Sequence, residues 1–107
     1  MGASKLELYD NSITEIAEIA KVFAHPARVA ILKYISQQDS CICNDIVEEV
    51  GLSQPTISQH LDVINKAGLI TGTYSGKSKC YCINSERLKH FHDQIDTFFS
   101  TTKANCC

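Results

Sequence analysis

No run of apolar residues in this 107-residue chain approaches the roughly 18–20 needed to cross a bilayer, so no membrane partner is expected. The opening stretch MGASKLELYD also lacks the apolar core of a secretory signal peptide, and the expected compartment is the cytoplasm. Enzymatic signatures are missing too. There is no Gly-rich phosphate loop and no pairing of a nucleophile with a base, and the chain is not read as an enzyme. With no internal repeats and no linker, residues 1–107 are expected to form one domain, its core spanning about 12–99. Residues 100–107 form an expected flexible tail that carries cysteine.

Positive charge is also scarce. Ten Lys and Arg stand against twelve Asp and Glu, a net charge of −2, which by itself gives no support to nucleic-acid binding. The distribution matters more. Residues 1–52 have a balance of −4, while 53–90 carry Lys66, Lys77, Lys79, Arg87 and Lys89 against only Asp62 and Glu86. A basic middle in an acidic chain is a local electrostatic footprint.

What is present reads as helices around a hairpin. Ser12-Ile-Thr-Glu15 has capping-box spacing, and Ile13, Ile16, Ala17, Ala20 and Phe23 follow at helical period, predicting a helix over about 12–24. Pro26 suits the start of a second helix to about 37, apolar almost all round and so largely buried. Asn44 or Asp45 can cap a short third helix through Val50, stopped by Gly51. Ser53 is placed to cap a fourth, with Ile57, Leu61 and Ile64 on one face and Gly68 at its end. Leu69 to Tyr74 and Ser78 to Ile83 alternate as two strands around Ser75-Gly76-Lys77. Ser85 then opens a fifth helix to about 99, with a stripe of Leu88, Phe91, Ile95, Phe98 and Phe99. Five helices with a hairpin between the fourth and fifth make a mainly α, winged helix-turn-helix fold.

A helix opened by small polar residues after a Gly-containing turn has the geometry of a major-groove reader. The candidate DNA contacts are Ser53, Gln54, Thr56, Ser58, Gln59 and His60 on that helix, with Lys77 and Lys79 on the hairpin. Gln can pair bidentately with adenine, Ser and Thr can bond bases or phosphates, and His60 could reach the backbone. The expected partner is double-stranded operator DNA.

The six cysteines fall in three close pairs, Cys41/Cys43, Cys80/Cys82 and Cys106/Cys107. In a reducing compartment such pairs are expected as free thiols rather than structural disulfides. Cys41 and Cys43 precede the third helix, whose N-terminus favours the thiolate that binds soft ions. Cys80 and Cys82 alternate with Tyr81 and Ile83 on a strand. If those two face the core, both sulfurs point outward from the wing, and no sensing role is expected of them. A four-thiolate zinc site joining them to Cys41 and Cys43 satisfies the ligand count, but Cys-x-Cys is not the usual zinc-knuckle spacing.

Leu52-Ser-Gln-Pro-Thr-Ile-Ser-Gln-His-Leu61 with Lys66-Ala-Gly-Leu-Ile70 resembles the ArsR/SmtB family of metal-responsive repressors. So do His25-Pro-Ala-Arg28 with Ile31-Leu32, and Gly76 with Tyr81, over roughly residues 12–99. The resemblance implies a homodimer built on the first and last helices, which releases its operator when a ligand arrives. Within the family, a Cys-x-Cys at this place resembles the arsenite-sensing or lead/cadmium-sensing motif. This chain departs from the commonest arsenical pattern: Asn44 is an extra residue, and Val47 stands where a third cysteine often follows. As(III) or Sb(III) wants three thiolates, so Cys106 or Cys107 is expected to supply the third. Cd(II), Pb(II) or Zn(II) sensing and a thiol-redox or persulfide switch are alternatives within the fold. Outside it stands a thiol-rich metal buffer. His90, His92 and Asp93 resemble half of a zinc-sensing site, but Thr101, Thr102 and Lys103 occupy the positions of the other half.

Overall fold

The computed structural model describes residues 8–43, 46, 50–76 and 78–103. In chain order these form α1 (Asn11–Phe23), α2 (Pro26–Ser36), α3 (Gln54–Lys66), β1 (Ile70–Ser75), β2 (Ser78–Ile83) and α4 (Ser85–Ser100). Four helices are therefore described against the five expected. Of the expected short helix before Gly51, Ile46 and Val50 are helical, whereas Asn44, Asp45 and residues 47–49 lie outside the described residues. Lys77, Cys106 and Cys107 lie outside them as well.

Three helix starts differ from expectation in ways hydrogen bonding explains. Asp10, not Ser12, caps α1: its carboxylate accepts from the Ile13 amide at 3.1 Å, and Ser12 Oγ donates to the same oxygen at 2.7 Å. Those two bonds, Ser12 first, hold the Asp10 carboxyl below its ordinary value. Asn84 replaces Ser85 at the start of α4. Its amide oxygen accepts from the Arg87 N–H at 3.2 Å, and its Nδ2 donates to the Gly68 carbonyl at 3.0 Å. A serine cannot make both bonds in this geometry, because it has no second polar arm. Ser53 does occupy the cap position of α3, but its hydroxyl bonds Thr56 Oγ1 at 3.0 Å instead of a backbone amide. Pro26 sits in the first turn of α2 as expected, where His25 Nδ1 accepts from the Ala27 amide.

The buried centre is drawn from α1, α2, α3, β1 and the connections, with β2 and α4 packed against it. Ile19 and Val22 of α1 meet Ile31, Leu32 and Ile35 of α2, Ile57, Leu61 and Ile64 of α3, and Ile42, Ile46, Leu69 and Ile70 from the connections and β1. Each such side chain contributes roughly 1.5–3 kcal/mol through burial. The dense apolar run of α2 resolves into one buried face, with Val29 40% exposed on the other. Gly68, at φ +82°, turns the chain out of α3, and the Leu69 amide still bonds back to the Ile64 carbonyl. That bond keeps Leu69 with the helix end, so β1 begins one residue later than predicted.

The hairpin is antiparallel, pairing Thr71 with Cys82, Gly72 with Tyr81 and Thr73 with Cys80. A third, short extended segment joins its outer edge. Ile42 and Tyr81 exchange both backbone bonds, Ile42 N–H to Tyr81 O at 2.9 Å and Tyr81 N–H to Ile42 O at 2.7 Å.

Candidate nucleic-acid interface and thiol site

The winged part of the fold presents α3 as an amphipathic helix. Ile57, Leu61 and Ile64 recur at spacings of four and three and lock one face into the core. The opposite face leaves Gln54, Ser58 and Gln59 exposed, with Gln54 Nε2 donating to Ser58 Oγ at 3.0 Å. That bond orders a polar pair one helical turn apart, as a groove-reading surface needs. Thr56 is half-buried by its bond to Ser53.

His60 is placed differently. It packs half-buried against the His25 ring, 4.5 Å between centroids, and its Nδ1 accepts from Arg28 Nε at 3.3 Å. Arg28 also donates Nη1 to the Lys21 carbonyl at 3.0 Å. Burial, then the charges of His25 and Arg28, holds the His60 imidazole below its usual pKa. His60 thus ties α3 to the start of α2.

On the wing, Lys79 is laid along its own strand, with its ammonium 5.7 Å from the centre of the Tyr81 ring. Gly72 makes the room: a methyl group there would stand 2.8 Å from Lys79 Cε and 3.1 Å from the Tyr81 ring.

The thiols are where the structure departs most from the sequence reading. Cys41 is bonded to Cys82 and Cys43 to Cys80, with Cα–Cα separations of 4.5 and 3.9 Å. Among the described residues no free thiol is found: the wing sulfurs lie on the face opposite Tyr81 but are taken up in bonds to Cys41 and Cys43. The cause is the Ile42–Tyr81 pairing. When those two exchange backbone bonds, their neighbours form the close, non-hydrogen-bonded cross-strand pairs. Ile42 and Tyr81 turn inward, so the alternation of both strands sends all four sulfurs to one face. Cys80 is buried at 5% exposure, while Cys41 and Cys43 are exposed. Among the described residues no group of three or more His, Cys, Asp or Glu is open to a metal ion in this bonded state.

The sequence did carry a signal for this arrangement. Two Cys-x-Cys pairs share the period of a strand, and two such pairs on neighbouring strands meet face to face. One member of the quartet faces the reading helix across a cleft. Cys43, Lys79 and Tyr81 line one side of a cleft of about 230 Å³, and Gln54, Ile57, Ser58 and Leu61 of α3 line the other.

At the far end, Glu15 of α1 accepts from Gln94 Nε2 at 2.8 Å, lies 3.3 Å from His90 Nε2 and 3.6 Å from Arg87 Nη1. The Gln94 bond, then that of His90, lowers the Glu15 pKa. His92 and Lys89 instead bond Asp93, each at 3.3 Å, so the two histidines serve separate carboxylates.

A helix-turn-helix reading face, an antiparallel wing and an inward-facing core define a winged-helix, DNA-binding transcriptional regulator. The family model of the arsR family of bacterial regulatory proteins matches residues 25–71. An uncharacterized HTH-type transcriptional regulator of Methanocaldococcus jannaschii is 38% identical over 81 residues, covering 75% of this chain and 90% of that protein. The arsenical resistance operon repressor of Staphylococcus xylosus is 30% identical over 96 residues, covering 90% and 91%. The homodimeric winged helix-turn-helix domain of a possible ArsR-family regulator from Mycobacterium bovis shares the fold. Its TM-score is 0.65 at 19% identity, over 88% of this chain and 90% of that one. The chain belongs to the arsR family of bacterial regulatory proteins. Its fold and relatives are those of transcriptional regulators and not of enzymes. No helix among the described residues is long and apolar enough to cross a membrane.

Proposed function

We propose that this protein is a homodimeric repressor that reads operator DNA with α3 and the wing and lets go when cysteine thiolates capture a thiophilic ligand, As(III) or Sb(III) in the leading case. The observation that carries this reading is the position of Cys43, one member of the cysteine quartet, across a cleft from α3. Cys43 shares one cleft with Gln54 and Ser58, so a change at the sulfurs is felt at the reading face. The donor set fits the ligand once the two bonds are reduced. A trivalent arsenic centre takes three thiolates, and reduction frees four sulfurs on one face. Cys80 or Cys82 can then complete the set begun by Cys41 and Cys43, with Cys106 and Cys107 as further donors. The similarity to an arsenical resistance operon repressor supports the choice of ligand.

Dimerisation is supported by the exposed Phe98 and Phe99 at the end of α4 and by the homodimer of the Mycobacterium bovis domain. The DNA contacts proposed are Ser53, Gln54, Thr56, Ser58 and Gln59, with Lys77 and Lys79 on the wing; His60, expected among them, instead ties α3 to α2. Two-fold symmetry puts the half-sites about one helical turn apart. A coupling of about 1–3 kcal/mol between thiol site and DNA site changes operator affinity roughly 5–150-fold.

The test is operator release by As(III) from reduced protein, compared with the Cys41→Ser/Cys43→Ser double variant. Release from the variant at wild-type As(III) concentrations would end the proposal. The presence of four sulfurs, one more than arsenic uses, favours Cd(II), Pb(II) or Zn(II) as the second reading, since four thiolates complete a tetrahedral site. Counting the sulfurs bound in each titration separates the two.

A further inference from the structure

We propose that the cysteine quartet is also an oxidative modification site for hydroperoxides. In this proposal its two cross-strand disulfides lock the repressor in a DNA-competent form that no longer responds to its thiophilic inducer. The inference rests on the quartet being the inducer site. Three observations carry it.

Each sulfur has one specific partner, Cys41 with Cys82 and Cys43 with Cys80, and the strand pairing that brings them together is held by its own backbone bonds between Ile42 and Tyr81. The two members of a pair differ in access. Cys41 and Cys43 are exposed, whereas Cys80 is 5% exposed and Cys82 is half-buried. The exposed sulfur meets the oxidant and the sheltered one resolves it. Finally, with both bonds closed the reading face is presented, with Gln54, Ser58 and Gln59 exposed on α3.

The chemistry balances within each pair. The thiolate of Cys41 or Cys43 attacks a peroxide oxygen, the O–O bond breaks, and a sulfenic acid forms with loss of hydroxide. The thiol of Cys82 or Cys80 then displaces the sulfenic oxygen as water, and the S–S bond forms. One peroxide is reduced by two electrons and two sulfurs are oxidised by one each. Two peroxides close the quartet. Both sulfur pairs are then unavailable as thiolates, the form that ligates soft ions. Oxidation and induction are therefore mutually exclusive.

The experiment uses the full chain, reduced and freed of reductant, then treated with two equivalents of hydrogen peroxide. Peptide mapping without reduction should return Cys41–Cys82 and Cys43–Cys80. Cys41→Ser should retain only the second link and Cys43→Ser only the first, both changes lying at exposed positions. The Cd(II)–thiolate ultraviolet band, seen with reduced protein, should disappear after oxidation and return with dithiothreitol. Operator affinity of the oxidised protein should stay within about threefold of the reduced, while the As(III) concentration for half release rises at least tenfold. Links within Cys41/Cys43, links to the tail or between subunits as the main product, or an undiminished Cd(II) band would overturn the inference. So would operator affinity falling tenfold or more on oxidation. If reduced protein takes up Cd(II) and maps as expected but As(III) leaves it on DNA, the arsenical reading fails and the lock stands.

Discussion

The two ends of this molecule are built on opposite plans. At the wing end, residues 41–43, β2 and the start of α3 close around one another: Ile42, Ile46 and Ile57 are buried, and two disulfides tie strand to strand. At the other end, α1 and α4 meet through a polar cluster on Glu15, α4 contributes no buried residue, and Phe98 and Phe99 stand 58% and 66% exposed. The wing end is complete within one chain. The α4 end has more apolar surface than its own chain covers, which is what a surface awaiting a second copy looks like. In the proposed reading each end has a separate task, with chemistry sensed at the closed end and assembly carried out at the open one.

The largest single effect should come from opening the closed end. Ile42→Ala removes a core side chain and loosens the strand that presents Cys41 and Cys43. Urea unfolding under reductant should show a loss of about 2–5 kcal/mol. A loss below 1 kcal/mol would mean that the 41–43 segment is not part of the core in solution.

At the open end the stability of the isolated chain should hardly move, and only the concentration-dependent contribution of dimerisation to urea unfolding should be lost. Phe98→Asp with Phe99→Asp alters exposed positions and should change the unfolding free energy of the chain itself by no more than about 0.5 kcal/mol. Sedimentation should report monomers, and operator binding should weaken about a hundredfold, equivalent to about 2.7 kcal/mol. A variant that still sediments as a dimer would remove Phe98 and Phe99 from the assembly surface and erase the contrast.

The fold was legible because its signals are local. Pro26 after His25, Gly68 after Lys66 and the alternation of Ser78 to Ile83 fix element type within a few residues, and β2 runs over the predicted span. Cap identities were less legible. Asp10 and Asn84 win over Ser12 and Ser85 because an Asx side chain can serve two partners at once, a choice decided by contacts up to 16 residues away. The thiol site was half legible. Cys41 and Cys43 stand out beside a helix-turn-helix, but their pairing with Cys80 and Cys82 depends on a single bridge, Ile42 to Tyr81, across about 40 residues. The strand period of the two Cys-x-Cys pairs hints at such a bridge but does not fix which strands meet. The inward turn of His60 was hidden for the same reason, since Arg28 lies 32 residues away.

A smaller effect tests one of those caps at the seam between the two ends. Asn84 starts α4 and bonds the carbonyl of Gly68, where α3 ends. Asn84→Ala should cost about 1 kcal/mol, the typical worth of an N-cap. Asn84→Ser should recover part of that loss but not the bond to Gly68. Full recovery by serine would show that only the cap matters.

The smallest effect is a dependence on pH that separates the two ends by the pH range in which stability is lost. His60 has its pKa held below the ordinary value by burial and by the charges of His25 and Arg28. The folded protein therefore binds a proton at His60 less readily than the unfolded chain does. Its contribution to stability is whole above the unperturbed value of about 6.5 and is lost as pH falls through the folded value. Protonation also removes the Nδ1 lone pair that accepts from Arg28 Nε, so the tie between α2 and α3 goes with it. Glu15 and Asp93 at the far end are carboxylates with lowered values, and their contributions persist until far more acid conditions. Between pH 7.5 and 5.5 the urea midpoint should therefore fall with His60 in place. In His60→Asn, whose amide oxygen can accept from Arg28 but cannot titrate, that fall should be shallower, with stability at pH 7.5 little changed. An identical slope in the variant would place the pH sensitivity elsewhere and leave His60 as packing alone.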